Sequence, residues 1–245
     1  MKTTIQKKFV AYSLVLAPLL AVHLSLGEEW PVWGGNGSRN MVSSEKGLLI
    51  DFKPGEMSDD EVVDMKTTKN VKWVAKLGSQ AYGNVTVGKG RVFVGTNNES
   101  PRDPGKKGDR GVVMCLDEKT GDLLWQLVIP KLGAGKVSDW EYIGVCSSPA
   151  IDGDKVYVVT NRCEVVCLDI NGLADGNAGP YKDEANYVKP KGMQDKLNEK
   201  TDADIIWMYD MRDQLGVFPH NVTSSSALVV GDIVYVATSN GVDWS

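Results

Sequence analysis

The residues of this chain best suited to chemistry lie in two kinds of place. Asp139, Trp140, Glu141 and Tyr142 run consecutively and join two carboxylates to two aromatic rings. Polar doublets (Asn97 with Asn98, Asn161 with Arg162, Ser239 with Asn240) each close a run of valines with Phe or Tyr. Amides, a guanidinium and hydroxyls gathered around one axis would suit an anionic or metal-bound ligand. Asn and Ser are also ordinary turn formers, and turn chemistry is the plainer account of any one doublet. Zinc-type chemistry has little to work with. Cys163 and Cys167 are spaced C-x3-C without partner ligands, and the histidines are His23 and His220.

The doublets gain meaning from the elements that precede them. Residues 82–98 (YGNVTVGKGRVFVGTNN), 146–162 (CSSPAIDGDKVYVVTNR) and 224–240 (SSSALVVGDIVYVATSN) align without a gap. Each has a Gly- or Asp-rich turn between two apolar runs, so the repeat is a β-hairpin. Ahead of each hairpin, across a loop, stands an apolar stretch with a tryptophan: Trp73 in 71–77, Trp125 in LLWQL and Trp207 in IIWMY. The unit is therefore a four-stranded antiparallel sheet. Its strands are expected at 82–88, 91–96, 112–117 and 123–128, then at 146–152, 155–160, 164–169 and 204–210, with 71–77 as an earlier outer strand. Residues 171–203, rich in Gly, Lys, Asp and Glu, replace a tight turn and are expected to form a solvated excursion with a short helix near 193–199.

Residues 112–125, VVMCLDEKTGDLLW, carry the most specific pattern. Cys115, Asp117, Thr120, Gly121 and Trp125 occupy [small]-x-D-x-x-T-G-x-x-x-W, in which Asp and Thr can bond turn amides, Gly permits φ > 0 and Trp anchors a sheet. This pattern resembles the repeat of the pyrroloquinoline-quinone (PQQ) type β-propellers, with cysteine where that family usually has alanine. The WPxWGG opening at 30–35, followed by Arg39 and Asn40, is similar to exported members of the family; the plainer use of Trp30 and Trp33 is to plug the bottom or rim of the fold. The resemblance implies an all-β propeller of four-stranded blades. Since propellers close with about four to eight blades, two full blades and part of a third imply an incomplete ring, as in the N-terminal half of a longer protein.

Function, on the same resemblance, sits on the face that collects the loops between second and third strands and those between blades. Quinoprotein dehydrogenases of this kind use calcium as a Lewis acid on the quinone, together with a carboxylate base. Trp140, Glu141, Asn161 and Arg162 are of the types that could stack on the quinone, bind its carboxylates and hold calcium. The adjacent cysteine pair found under the cofactor in many such alcohol dehydrogenases is missing. Other relatives keep the repeat without the quinone and serve as scaffolds. The leading expectation is thus a module that binds a ligand or protein partner at its loop face; the alternative is a PQQ- and calcium-dependent dehydrogenase of an alcohol or sugar.

The remaining sequence sets the compartment. Over its 245 residues the chain has a net charge of −5 and a pI near 5.2, which gives no basic footprint for nucleic acid. Lys2, Lys7 and Lys8, an apolar run at 9–22 and the small residues Ser25 and Gly27 have the grammar of a signal peptide cleaved after Gly27. An uncleaved anchor is the alternative, disfavoured because Pro18 and His23 interrupt a short apolar run. The domain plan is then a leader at 1–27, an irregular lead-in at 28–70 and the propeller at 71–245. A periplasmic or secreted location follows, with no membrane span after cleavage. Disulfides are permitted there. Four cysteines allow three complete pairings; strand positions favour Cys146 with Cys163, with Cys115 and Cys167 as buried free thiols.

Overall fold

The computed structural model describes residues 28–189 and 196–238. The leader at 1–27, the doublet Ser239–Asn240 and half of the expected helix at 193–199 lie outside them.

Val, Ile, Phe and Tyr in alternation build the sheets. Strands β1 (Glu56–Met57) and β2 (Val63–Asp64) form a small hairpin in the lead-in. The first blade is β3 (Thr86–Gly88), β4 (Arg91–Asn97), β5 (Arg110–Asp117) and β6 (Leu123–Pro130). The second is β7 (Ala150–Asp152), β8 (Lys155–Val159), β9 (Glu164–Asp169) and β10 (Ile205–Asp210). Both are antiparallel meanders, and β11 (Leu228–Val230) with β12 (Ile233–Tyr235) makes a third hairpin. Innermost strands adjoin, β3 beside β7 and β7 beside β11, so the sheets stand as successive blades about one axis.

Each full blade is buried on both faces, which explains runs more apolar than a half-exposed strand requires. From the first blade, Val92, Val94, Val112, Met114 and Leu116 face Trp73, Ala75 and Leu77. The alternate residues, Phe93, Val113, Cys115 and Leu127, pack on Val156, Val158, Val166 and Leu168 of the second. Tyr157 and Cys167 then meet Val229 and Val234 of the third hairpin.

The tryptophans join blade to blade by one device. Trp125, 1% exposed, donates from Nε1 to the carbonyl of Ile170 at 2.9 Å, and its ring covers Gly172. Trp73 repeats this one blade earlier, donating to the carbonyl of Glu118 at 3.0 Å with its ring over Gly121. Gly121 and Gly172 have φ of +77° and +63°, and a Cβ on either would fall 2.6–2.8 Å from the indole. Asp117 Oδ1 caps the first turn by accepting from the amides of Lys119 (2.8 Å) and Thr120 (2.9 Å). A register shift sits just before both Trp125 and Trp207, bending each outer strand at the same place.

Two expectations are corrected and a third is qualified. Residues 71–77 are extended but belong to no ladder; Trp73, Ala75 and Leu77 hold them by side-chain packing on the first blade. All four cysteines are buried free thiols, so the Cys146–Cys163 pair is not formed. The two meet different surroundings: Cys146 faces Lys131, Asp139 and the carbonyl of Gly144, whereas Cys163 faces Thr223, Arg212 and Asp210. Burial pushes the thiols up, to about 12 for Cys115 and about 11 for Cys146 and Cys167. The described part of the excursion at 171–203 is exposed over much of its length, as expected, but it is also anchored. It carries a 3-10 turn at Gly172–Asp175 and one helical turn, α1 (Glu184–Tyr187), and packs Tyr181, Tyr187, Val188, Leu197 and Ala203 against the core between the blades. Its end is stapled by a buried ion pair of Lys106 and Asp202, with side chains 1% and 2% exposed.

The lead-in supplies a plug. Trp30 exchanges both backbone bonds with Val87 of β3 (2.8 and 2.9 Å), the Pro31 carbonyl accepts from Ile151 of β7 (2.8 Å), and Arg39 donates to the carbonyls of Ser226 and Ala227 beside β11 (3.2 and 2.9 Å). This short stretch thus lies across the axial ends of three blades on the side of the β3–β4 and β7–β8 turns.

Candidate functional site

The opposite face is left for the loops. There Arg110 opens β5, Pro130 ends β6, and Asn161 and Arg162 turn the chain from β8 into β9. Helix α1 comes up beside them. Together they wall a cavity of about 460 Å³ into which Lys107, Arg110, Lys131, Arg162, Tyr187 and Lys189 converge, with Asp109 as its carboxylate.

Beneath Arg162 lies a buried carboxylate, Glu164, 1% exposed. Its Oε1 accepts from Arg162 Nε at 2.9 Å and lies 3.5 Å from Arg212 Nη2; its Oε2 accepts from the hydroxyls of Thr160 (3.0 Å) and Tyr187 (2.8 Å). Burial opposes charge on Arg162, but Glu164 beside it, aided by Tyr187 and Asp210, outweighs that and holds the guanidinium above its ordinary value. Burial first, then Glu164, pushes the Tyr187 phenol well up. The guanidinium is thereby fixed in place through Nε, with no hydrogen bond from its two terminal nitrogens to the described residues.

Lys131 is committed otherwise. It pairs with Asp139 Oδ1 at 2.5 Å and donates to the carbonyls of Trp140 and Ile143, both at 2.7 Å. Asp139 Oδ2 accepts from the Leu132 amide (2.8 Å) and from Asn161 Nδ2 (3.2 Å). Burial raises the Asp139 carboxyl despite Lys131.

Of the residues expected at a site, Arg162 lines this cavity. Asn161 is 1% exposed and spends its amide nitrogen on Asp139 and on the carbonyl of Pro130 at 3.3 Å. Trp140 is 42% exposed with the Lys136 ammonium 5.6 Å from its ring centre, and Glu141 is exposed beside it. Asn97 bonds the Ser79 amide and the Tyr142 carbonyl, and Asn98 bonds the carbonyls of Lys106 and Gly108. Asn97, Asn98 and Asn161 therefore act as loop braces. Arg110, Tyr187 and the lysines were not singled out by sequence reasoning. The one signal was an arginine placed at the head of an otherwise apolar strand.

The four residues expected to hold a quinone with calcium do not form one site. Trp140 and Glu141 do not line the cavity that Arg162 enters, and although Asn161 Oδ1 is buried without a hydrogen-bond partner, no group of three or more His, Cys, Asp or Glu side chains is poised for a metal among the described residues.

The repeat itself decides the family. The family model described as outer membrane protein assembly factor BamB, built on the PQQ-type repeat, matches residues 34–177 and 109–242. The chain belongs to the PQQ-repeat propeller family. Among solved structures, a europium-containing methanol dehydrogenase is similar at 13% identity and a TM-score of 0.46, over 86% of this chain. The chain spans 27% of that enzyme's length. No curated protein sequence matches. Among the described residues, no helix is long and apolar enough to cross a membrane.

Proposed function

We propose that this PQQ-repeat propeller is an exported binding module that engages its ligand or protein partner on the loop face, with no catalysis identifiable in this portion. One observation carries the reading. The segment around Trp30 covers the axial ends of the blades on the turn face, while the other face presents a cationic cavity built by loops from two blades. Partner binding is also in keeping with a family model described as an outer-membrane assembly factor. The leader-like residues 1–27 support export.

Photo-crosslinking in the envelope of a bacterial host tests this. A crosslinker at Leu132 or Lys107, on the loop face, should give one discrete adduct; the same group at Lys89 or Lys119, on the turn face, should give none. Adducts confined to the turn face would overturn the assignment. Addition of PQQ and calcium to the protein should change neither the cofactor's absorbance nor the melting temperature, and a shift in either would restore the dehydrogenase reading.

A further inference from the structure

We infer that the cavity between the two full blades is a site for a small, multiply charged anion, a di- or tricarboxylate or a phosphate ester. The inference rests on the loop face being the binding face and names the chemistry of its ligand. In a chain of net charge −5, the described residues that line a single concave volume of about 460 Å³ include five cationic side chains and one carboxylate, with Arg110 engaged inside the protein. That volume is in the range of small-molecule sites.

The internal pairings account for only part of this charge. Lys131 is closed by Asp139 and two carbonyls. Arg162 keeps its terminal nitrogens open, because Glu164 takes Nε alone and is itself shared with Arg212. Lys107 and Lys189 make no side-chain bond to the described residues, and each adds a movable ammonium at the rim. Asp109 is the counterweight, and its Oδ2 accepts the Tyr142 amide at 2.8 Å. A guanidinium fixed at one nitrogen, with two others presented together, matches the paired oxygens of carboxylate or phosphate. An extended acidic peptide would want a groove; this is a pocket.

Calorimetric titration with citrate and with pyrophosphate at low salt tests the site, with glycerol as the neutral control. One-to-one binding of either anion is expected, and which anion binds distinguishes carboxylate from phosphate. Arg162→Gln should weaken it about tenfold or more, since charge-assisted bonds of this kind are worth roughly 1.5–3 kcal/mol. Glu164 retains Arg212, Tyr187 and Thr160 in that variant, so the fold survives. Lys107→Gln with Lys189→Gln, both away from the core, should weaken binding severalfold and leave the melting temperature unchanged. Absence of saturable binding by either anion, or binding indifferent to both variants, would overturn the inference, as would binding of octaglutamate but neither small anion. Loss of anion binding with loop-face crosslinks intact would sink this inference and spare the binding-module reading.

Discussion

Replacing Lys106 by methionine should be among the most damaging single changes in the chain. The Lys106 ammonium is buried against Asp202, lies 3.4 Å from Asp103, and has a side chain 1% exposed. Methionine keeps most of the stem and removes the charge. Asp202, 2% exposed at its side chain, is then left with the Asn198 amide at 2.7 Å as its remaining donor. Breaking a buried pair from one side costs about 3–5 kcal/mol, because it strands the other charge away from water. For a chain of this size that is a fall of roughly 6–20 °C in melting temperature. Urea unfolding followed by tryptophan emission gives the free energy. The double variant Lys106→Met with Asp202→Leu should recover most of the loss, since replacing both charges by apolar groups is often neutral or stabilising. High salt should not mimic the single variant, because the pair is shielded from the ions that screen surface charges. A cost below about 1 kcal/mol for Lys106→Met, or a double variant as weak as the single one, would refute the claim that this pair staples the excursion to the first blade.

Gly121→Ala should destabilise by about 1–3 kcal/mol in the same urea assay, because a Cβ there meets the Trp73 ring at 2.6 Å on a backbone at φ +77°; a neutral result would mean the indole is free to move. Intact mass should be the same with and without reductant, and Cys115, Cys146 and Cys167 should resist a thiol reagent until denaturant is added, their thiols lying at about 12, 11 and 11; a mass lower by two hydrogens without reductant would contradict the free thiols. The pH dependence has a definite sign. Burial raises the Asp204 carboxyl in the fold, outweighing the Ala178 amide, so its contribution to stability is fully present below the ordinary carboxylate range and lost as pH rises through the raised value. Asp204→Asn should therefore flatten the change in melting temperature as pH is lowered from neutrality to the ordinary carboxylate range, about pH 4, relative to the unaltered chain, and an unchanged slope would count against it.

The blades were legible because they depend on local pattern. Valines alternating with Phe or Tyr, Gly and Asp at hairpin turns, and one tryptophan per outer strand gave strand boundaries within a few residues of those observed, from β4 through β10. The innermost strands were overextended. Residues 82–85 and 146–149 lie close to the axis, where Asn84 and Ser148 make bonds to the next blade in place of a ladder: the Asn84 amide donates to Ser148 Oγ (2.8 Å), and the Ser148 amide to Ser226 Oγ (3.0 Å). The repeat had aligned these three positions, but nothing in it said what they would bond. The site was less legible, because it is assembled from distant segments. Trp140 and Glu141 were of the right type, yet their direction was fixed by a contact with Asn221, whose carbonyl accepts the Trp140 amide at 2.8 Å. The neighbouring Asp139 points inward to Lys131 and Asn161 instead.

The excursion shows how a segment can leave one face of a propeller and furnish the other. It departs after Asp169 at the turn face, where Gly172 keeps the seat for Trp125 that a short turn would have provided. By Tyr187 and Val188 it has reached the loop face: the Tyr187 hydroxyl bonds Glu164 at the head of β9, and the Val188 carbonyl accepts from Arg110 Nη1 at 3.4 Å. It then returns to pair Asp202 with Gln126, halfway along β6, before entering β10. A blade strand of six to eight residues is roughly 20–26 Å long at about 3.3 Å per residue, so the sixteen residues from Gly172 to Tyr187 span it with slack. A low apolar content did not prevent burial, because a few anchors sufficed: two tyrosines, Val188, Leu197 and one ion pair lock the path. The cavity wall therefore comes from the place where the repeat is broken. Residues that a blade pattern treats as a gap are the ones that convert a seam between two sheets into a pocket.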